Sequence, residues 1–172
     1  ESGLNVILAD EDSLPGGRLN AETFAMGQQP GHDWAAETAE RLAALPNVRL
    51  MTRTTVLGAF DHGIYGALER VSDHLPVPPA GKARQILWRI YSTRAILAAG
   101  ATERPIVFEN NDRPGIMMAG ALRAYANRWA ATPAQEIAVF TNNDDGHRTA
   151  RDLLAKGVTV TAVIETRPDA PK

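Results

Sequence analysis

The sequence predicts an α/β fold in which two strand–helix–strand units flank an antiparallel β-meander. Three observations carry that prediction. The run "NVILADED", Asn5 to Asp12, is apolar and then acidic, and a turn with Gly16 and Gly17 follows it. "VRLMTRTTVLGAF" and "IYGALERV" are apolar and β-branched, with the turn signal "DHG" at Asp61 to Gly63 between them. "IAVFT", "HRTARDLLAK" and "VTVTAVIET" then give strand, helix and strand a second time.

Taken in order, Asn5 to Ala9 is a short strand bounded by Gly3 and Asp10, and Leu19 to Gly31 is irregular. Asp33 can cap a helix running to about Leu45, with Trp34, Leu42 and Leu45 among its buried residues and Pro46 ending it. The meander covers about residues 54–91, with "PVPPAGK" as a rigid connection inside it. "ILWRIYSTRAILAAG" predicts two strands, the second ending at Gly100. "AGALRAYANRW" is a helix from Ala119 to about Trp129, and the second strand–helix–strand unit follows, its helix stopped by Gly157. The division expected is a first domain over residues 1–118 and a connecting helix with a partial second unit over 119–172.

Composition narrows the function classes. The chain has 172 residues, 44% hydrophobic and 22% charged, with a formal net charge of -2. That balance fits an ordinary soluble domain and implies no polyelectrolyte partner, and no basic stripe with interleaved aromatics points to nucleic acid. With no cysteine, disulfides, thiolate catalysis and cysteine-ligated metals are excluded within these residues. No apolar run approaches the roughly 20 residues that span a bilayer, so no membrane partner is expected and a cytoplasmic setting is. "ESG" reads as the last turn of a helix with Gly3 as its cap, and "RPDAPK" as a linker, so the piece is expected to be internal to a longer chain.

The chemistry is concentrated at strand ends. In a dinucleotide-binding fold, an acid closing the second strand accepts hydrogen bonds from the adenosine ribose hydroxyls. Asp10 is in that position, with Glu11 and Asp12 beside it, and the Gly16–Gly17 pair allows a tight turn near a cofactor. The alternative is a solvated acidic turn. A metal is a third option, but no second ligand cluster supports one. "RAILAAGATERP", Arg94 to Pro105, is an apolar strand ending in small residues, where a chain can pass close to phosphate and sugar. The competing reading is a strand end with a glycine turn. These elements together predict a partial FAD/NAD(P)-binding Rossmann-like domain, lacking a first strand and glycine loop, and then a partial second βαβ dinucleotide-like unit.

His32, His62, His74 and His147 have no metal-ligand spacing, and no nucleophile elbow is visible, so no catalytic residue and no metal site are assigned. Trp88 and Trp129 read as core. In "TNNDDGHRT" Asp144 and Asp145 stand where a pyrophosphate would need bare N–H groups. They can cap the helix themselves and would repel phosphate, so the second unit is expected to keep the fold without the ligand.

"NVRLMTRTTVLGAFDHGIYGALERVSDHL" followed by "LAAGATERPIVFENNDRPGIM" resembles the alpha subunits of heterotetrameric sarcosine oxidases, over nearly the whole chain. The resemblance implies a large subunit whose N-terminal half is flavoprotein-reductase-like and holds NAD, and whose C-terminal half binds tetrahydrofolate. It implies beta, gamma and delta subunits as partners, with FAD in the beta subunit, while FMN lies at the alpha–beta interface. The implied reaction is oxidation of sarcosine to glycine, with the one-carbon unit passed to tetrahydrofolate and oxygen reduced to hydrogen peroxide. Carried over by position, the ribose acid falls on Asp10, with Glu11 and Asp12 following. Gly17 and Arg18 fall on the turn, Val56 on a strand that contacts adenine through its backbone, and Ala99, Gly100 and Ala101 on the later small-residue turn. The resemblance implies no independent activity for this piece. Two other readings stand beside it: the corresponding subunit of an opine or amino-acid dehydrogenase, and a ligand-free interaction module.

Overall fold

A computed structural model describes residues 3–168. In chain order the strands and helices are β1 (Val6–Ala9), β2 (Ala25–Met26), β3 (Gln29–Pro30), α1 (Gly31–Ala43), β4 (Val48–Met51), β5 (Thr54–Phe60) and β6 (Ile64–Arg70). They continue with β7 (Gln85–Tyr91), α2 (Ala119–Arg128), β8 (Glu136–Thr141), α3 (Asp144–Ala155) and β9 (Thr159–Glu165). Short 3-10 turns cover Gly17–Ala21 and Asp61–Gly63. By compactness the chain divides into two units with borders other than residue 118. One takes the chain up to Gly17 and Asp33–Ala99; the other takes Arg18–His32 and the chain from Gly100 onward. The cap expected of "ESG" rests on residues 1–2, and most of "RPDAPK" on 169–172, outside the described residues; Gly3 itself has φ 72°.

In the first unit β1 and β4 pair in parallel, Val6 opposite Val48 and Ala9 opposite Met51. A parallel pair needs a crossover, and α1 lies in it. This helix starts at Gly31, two residues before Asp33, and ends at Ala43. Its inward stripe is Ala35, Thr38, Ala39 and Leu42, a spacing of three and four. Trp34 lies one position off that stripe and Leu45 lies beyond the helix end, so both are exposed rather than buried as expected.

The meander β5–β6–β7 is antiparallel and sits in the predicted place. The β5–β6 register shifts between Val56 and Gly58, a bulge next to the Val56 position. Its tight turn needs Gly63, where φ is 71° and an added Cβ would collide with the Ser92 carbonyl oxygen. Trp88 donates from Nε1 to Glu69 Oε2 at 2.6 Å, with the Arg49 guanidinium 4.2 Å over its ring, while Ala67 is fully buried in the centre.

The strand expected at Arg94 to Gly100 is not formed. Residues 93–105 carry no ladder, and Ile96 and Leu97 are 93% and 92% exposed. An apolar pattern becomes a strand only where a neighbour completes its hydrogen bonds, and none of the described strands pairs with it.

In the second unit β8 and β9 pair in parallel and α3 connects them. Gly146, Thr149, Ala150 and Leu153 form the buried stripe of α3, again at a spacing of three and four. Leu122, Ala126, Leu153 and Val158 make the core, with Ile137 and Val160 packed against it. Gly146 is required because a Cβ there would collide with Thr141. Asn143, not Asp144 or Asp145, caps α3: its Oδ1 accepts from Asp145 N at 2.9 Å and from Gly146 N at 3.4 Å. The residue before α2, Met118, has no capping side chain, and Glu103 acts instead from 16 residues upstream. Its two carboxylate oxygens accept from Ala119 N at 3.1 Å and Gly120 N at 2.8 Å. Trp129, expected in the core, is 57% exposed and packs beside Tyr125 under the Arg128 guanidinium.

Candidate functional site

The site is built on the end of β1. Parallel pairing with β4 carries the chain to Asp10, whose N–H donates to Met51 O at 2.9 Å. Beyond that bond the chain turns, and the turn is held from the root of the meander. Thr54 N donates to Asp10 O and Arg53 N to Asp12 O, both at 2.8 Å. Arg70 Nη2 donates to Glu11 O at 2.7 Å. Asp10 Oδ1 accepts the Asp12 N–H at 2.9 Å. Its Oδ2 has no hydrogen bond among the described residues and stays available to a ligand. Glu11, Asp12, Ser13, Arg53 and Arg70 line an open polar depression of about 410 Å³ beside this turn.

A ribose diol needs a fixed carboxylate oxygen at a strand end. Asp10 meets that requirement in position, in partial burial and in its one available oxygen. Gly16 and Gly17 have φ of 127° and 52°, so the turn beyond uses backbone that glycine favours. Asp10 therefore offers the fixed carboxylate that a ribose diol requires.

The remaining candidate residues are distributed as follows. Asp10, Glu11, Asp12, Gly17, Val56 and Ala99 belong to the first unit; Arg18, Gly100 and Ala101 belong to the second. Val56 is in mid-strand and 49% exposed, opposite Ala67. Ala99, Gly100 and Ala101 are exposed; Gly100 has φ 70° with nothing within 4 Å of where a Cβ would lie, so its backbone, not crowding, favours glycine here.

Arg18 is engaged within the second unit. Its Nη2 lies 2.7 Å from both Glu22 Oε1 and Asp145 Oδ1. The hydrogen bond to Asp145 is the main reason its guanidinium pKa is raised, against burial, which lowers it. Arg123 joins the same cluster: Nη2 is 3.0 Å from each Asp145 oxygen and 3.2 Å from Glu22 Oε1, and the side chain is 2% exposed. Burial pushes the Asp145 carboxyl up, but hydrogen bonds and charge from the two arginines outweigh it and hold the group below its ordinary value. At the far end of β9, Arg167 hydrogen-bonds Glu165 and, with His147, holds that carboxyl at about 2. The α3 start is thus a neutralised acidic cluster over a capped helix.

Sequence reasoning did not single out Arg53, Arg70, Glu103, Glu22 or Arg123. Arg53, Arg70, Glu103 and Arg123 act on partners distant in the chain or through their backbone, which no local spacing marks; Glu22 pairs with Arg18 at i, i+4 as well as with the distant Arg123.

No family model matches the chain. It is 46% identical to the alpha subunit of sarcosine oxidase from Rhizobium meliloti over 98% of its own length, and spans 17% of that protein. It is 27% identical to an opine oxidase subunit from Agrobacterium tumefaciens, over 96% of this chain and 33% of that one. Among solved structures, L-proline dehydrogenase from P. horikoshii matches with a TM-score of 0.73 at 19% identity, over 98% of this chain and 32% of that one. That last likeness speaks for the fold alone. Over nearly its whole length, the chain is related to one portion, about 17%, of the alpha subunits of sarcosine oxidase.

Proposed function

We propose that this chain is the part of a sarcosine oxidase-type alpha subunit that holds the adenosine half of NAD. The observation that carries the reading is the Asp10 carboxylate, pinned at the end of a parallel strand with one oxygen left open. Relatedness to sarcosine oxidase alpha subunits supports the enzyme class: an oxidoreductase working as a multi-subunit complex. Asp10 holds the ribose, with the Glu11–Asp12 turn, Gly17, Val56 and Ala99 of the same unit as further nucleotide contacts; Gly100 and Ala101, which open the other unit, are candidates from their sequence position. Arg18 stays with Glu22 and Asp145. A nicotinamide dinucleotide bound there supplies a hydride-accepting ring.

On this reading residues 1–118 are part of the first dinucleotide domain and 119–172 part of a second that carries no nucleotide. The complex works in the cytoplasm, with beta, gamma and delta subunits as partners. It demethylates sarcosine to glycine, passing the one-carbon unit to tetrahydrofolate and electrons to oxygen. FAD and FMN sit elsewhere in the complex, and no catalytic residue is assigned to this chain. The opine oxidase relation gives the second reading, in which the complex oxidises another amine, and its lower identity of 27% against 46% places it second. The test is mass spectrometry of the nucleotide released when the intact alpha subunit is denatured. NAD in about one equivalent is the expected result; an alpha subunit that releases no dinucleotide and takes up none would leave the interaction-module reading.

A further inference from the structure

Resting on the nucleotide reading above, we infer that Arg70 is a positioning residue for the ribose-binding acid: from the end of β6 its guanidinium fixes the peptide plane that aims the Asp10 carboxylate. Three successive carbonyls of the turn, those of Asp10, Glu11 and Asp12, each accept one hydrogen bond. The first and third donors are the backbone N–H groups of Thr54 and Arg53, which most substitutions would leave in place. The middle donor is a side chain, Arg70 Nη2 at 2.7 Å from Glu11 O.

That middle bond lies on a particular peptide unit. The Glu11 carbonyl and the Asp12 N–H belong to one planar group, so holding one end sets the direction of the other. The Asp12 N–H is the donor that Asp10 Oδ1 accepts at 2.9 Å. Arg70 therefore grips one end of the plane and the Asp10 carboxylate is gripped by the other. The donors are also tied together: Arg70 N donates to Arg53 O at 3.0 Å. Arg53 has φ 52°, a left-handed conformation uncommon outside glycine, which persists only where surrounding bonds determine it. Without the guanidinium, the Glu11–Asp12 peptide can rotate and Asp10 loses its fixed orientation, while the strands on either side keep their ladders.

The test is calorimetric titration of NAD into the intact alpha subunit carrying Arg70→Ala, Arg70→Lys, Asp10→Ala or the Arg70→Ala/Asp10→Ala pair. Far-UV circular dichroism confirms that each variant is folded. Arg70→Ala should raise the Kd about five- to tenfold, the effect of one ordinary solvent-exposed hydrogen bond, and Arg70→Lys should recover most of it. In the Asp10→Ala background, Arg70→Ala should add nothing, because a residue acting through Asp10 has nothing left to position. Equal weakening by Arg70→Ala in both backgrounds would mean a general structural role and overturn the inference. So would normal NAD binding by Arg70→Ala while Asp10→Ala binds weakly, an outcome that leaves the nucleotide reading standing. If Asp10→Ala itself binds NAD with unchanged affinity, the nucleotide reading fails and the inference fails with it.

Discussion

Arg123 is the largest side chain taken wholly out of water, and it is a charged one. It survives burial because Asp145 and Glu22 face it, although its Nη1 has no partner. Removing one member of such a cluster strands the others. Arg123→Ala should therefore cost about 3 kcal/mol or more in chemical denaturation, whereas Arg18→Ala, on the exposed side, should cost well under half as much. Glu165 gives a pH signature. Its folded-state value of about 2 lies below its ordinary 4.5, because Arg167 and His147 bind the charged form. A depressed carboxyl stabilises the fold fully above its unfolded value and loses that contribution as pH falls through the folded one. Stability should thus decline between about pH 4.5 and pH 2, and Glu165→Gln should flatten that part of the pH–melting-temperature curve. The strand end that carries Asp10 was legible at this scale because it follows from one local pattern, an apolar run that stops in acid. Arg70 and Arg123 were not, since their roles depend on partners 59 and 22 residues away.

At the scale of elements, local chemistry decided most of what the sequence could say. The meander was readable because β-branched runs and a glycine turn impose it with no distant partner. The α3 helix was readable from its spacing, but its cap was assigned to the wrong residues: Asn143 stands one position ahead of the two acids and takes both N–H groups. Glu103 illustrates the opposite case. It sits in the small-residue segment "GATERP" that suggested a cofactor turn, and here it caps α2. Loss of a capping side chain typically costs about 1 kcal/mol. Glu103→Ala should lower stability by about that amount, and Glu103→Gln, which keeps an acceptor oxygen, by less. Urea denaturation of the two variants checks this.

The whole molecule presents more apolar surface than its composition requires. Val6, Ile7 and Leu8 on a two-stranded parallel sheet are exposed, as are Ile96, Leu97 and Val107 on segments with no ladder. Parallel strands are ordinarily covered on both faces. The chain spans 17% of the length of its sarcosine oxidase relative. The Arg94 to Gly100 pattern is apolar enough to predict a strand, but none of the described strands pairs with it. Taken alone, the 172-residue polypeptide should self-associate through these faces, visible as concentration-dependent mass in analytical ultracentrifugation; a monomer at high concentration would contradict this.

The central claim is that Asp10 marks a site for the adenosine ribose of NAD, and titrating NAD and NADP into the intact alpha subunit, with and without Asp10→Ala, tests it most directly. A carboxylate accepts from both ribose hydroxyls and repels a 2′-phosphate. NAD should bind at least tenfold more tightly than NADP, and Asp10→Ala should weaken NAD while narrowing that preference. Tighter binding of NADP, or an Asp10→Ala variant that binds NAD unchanged, would contradict the account.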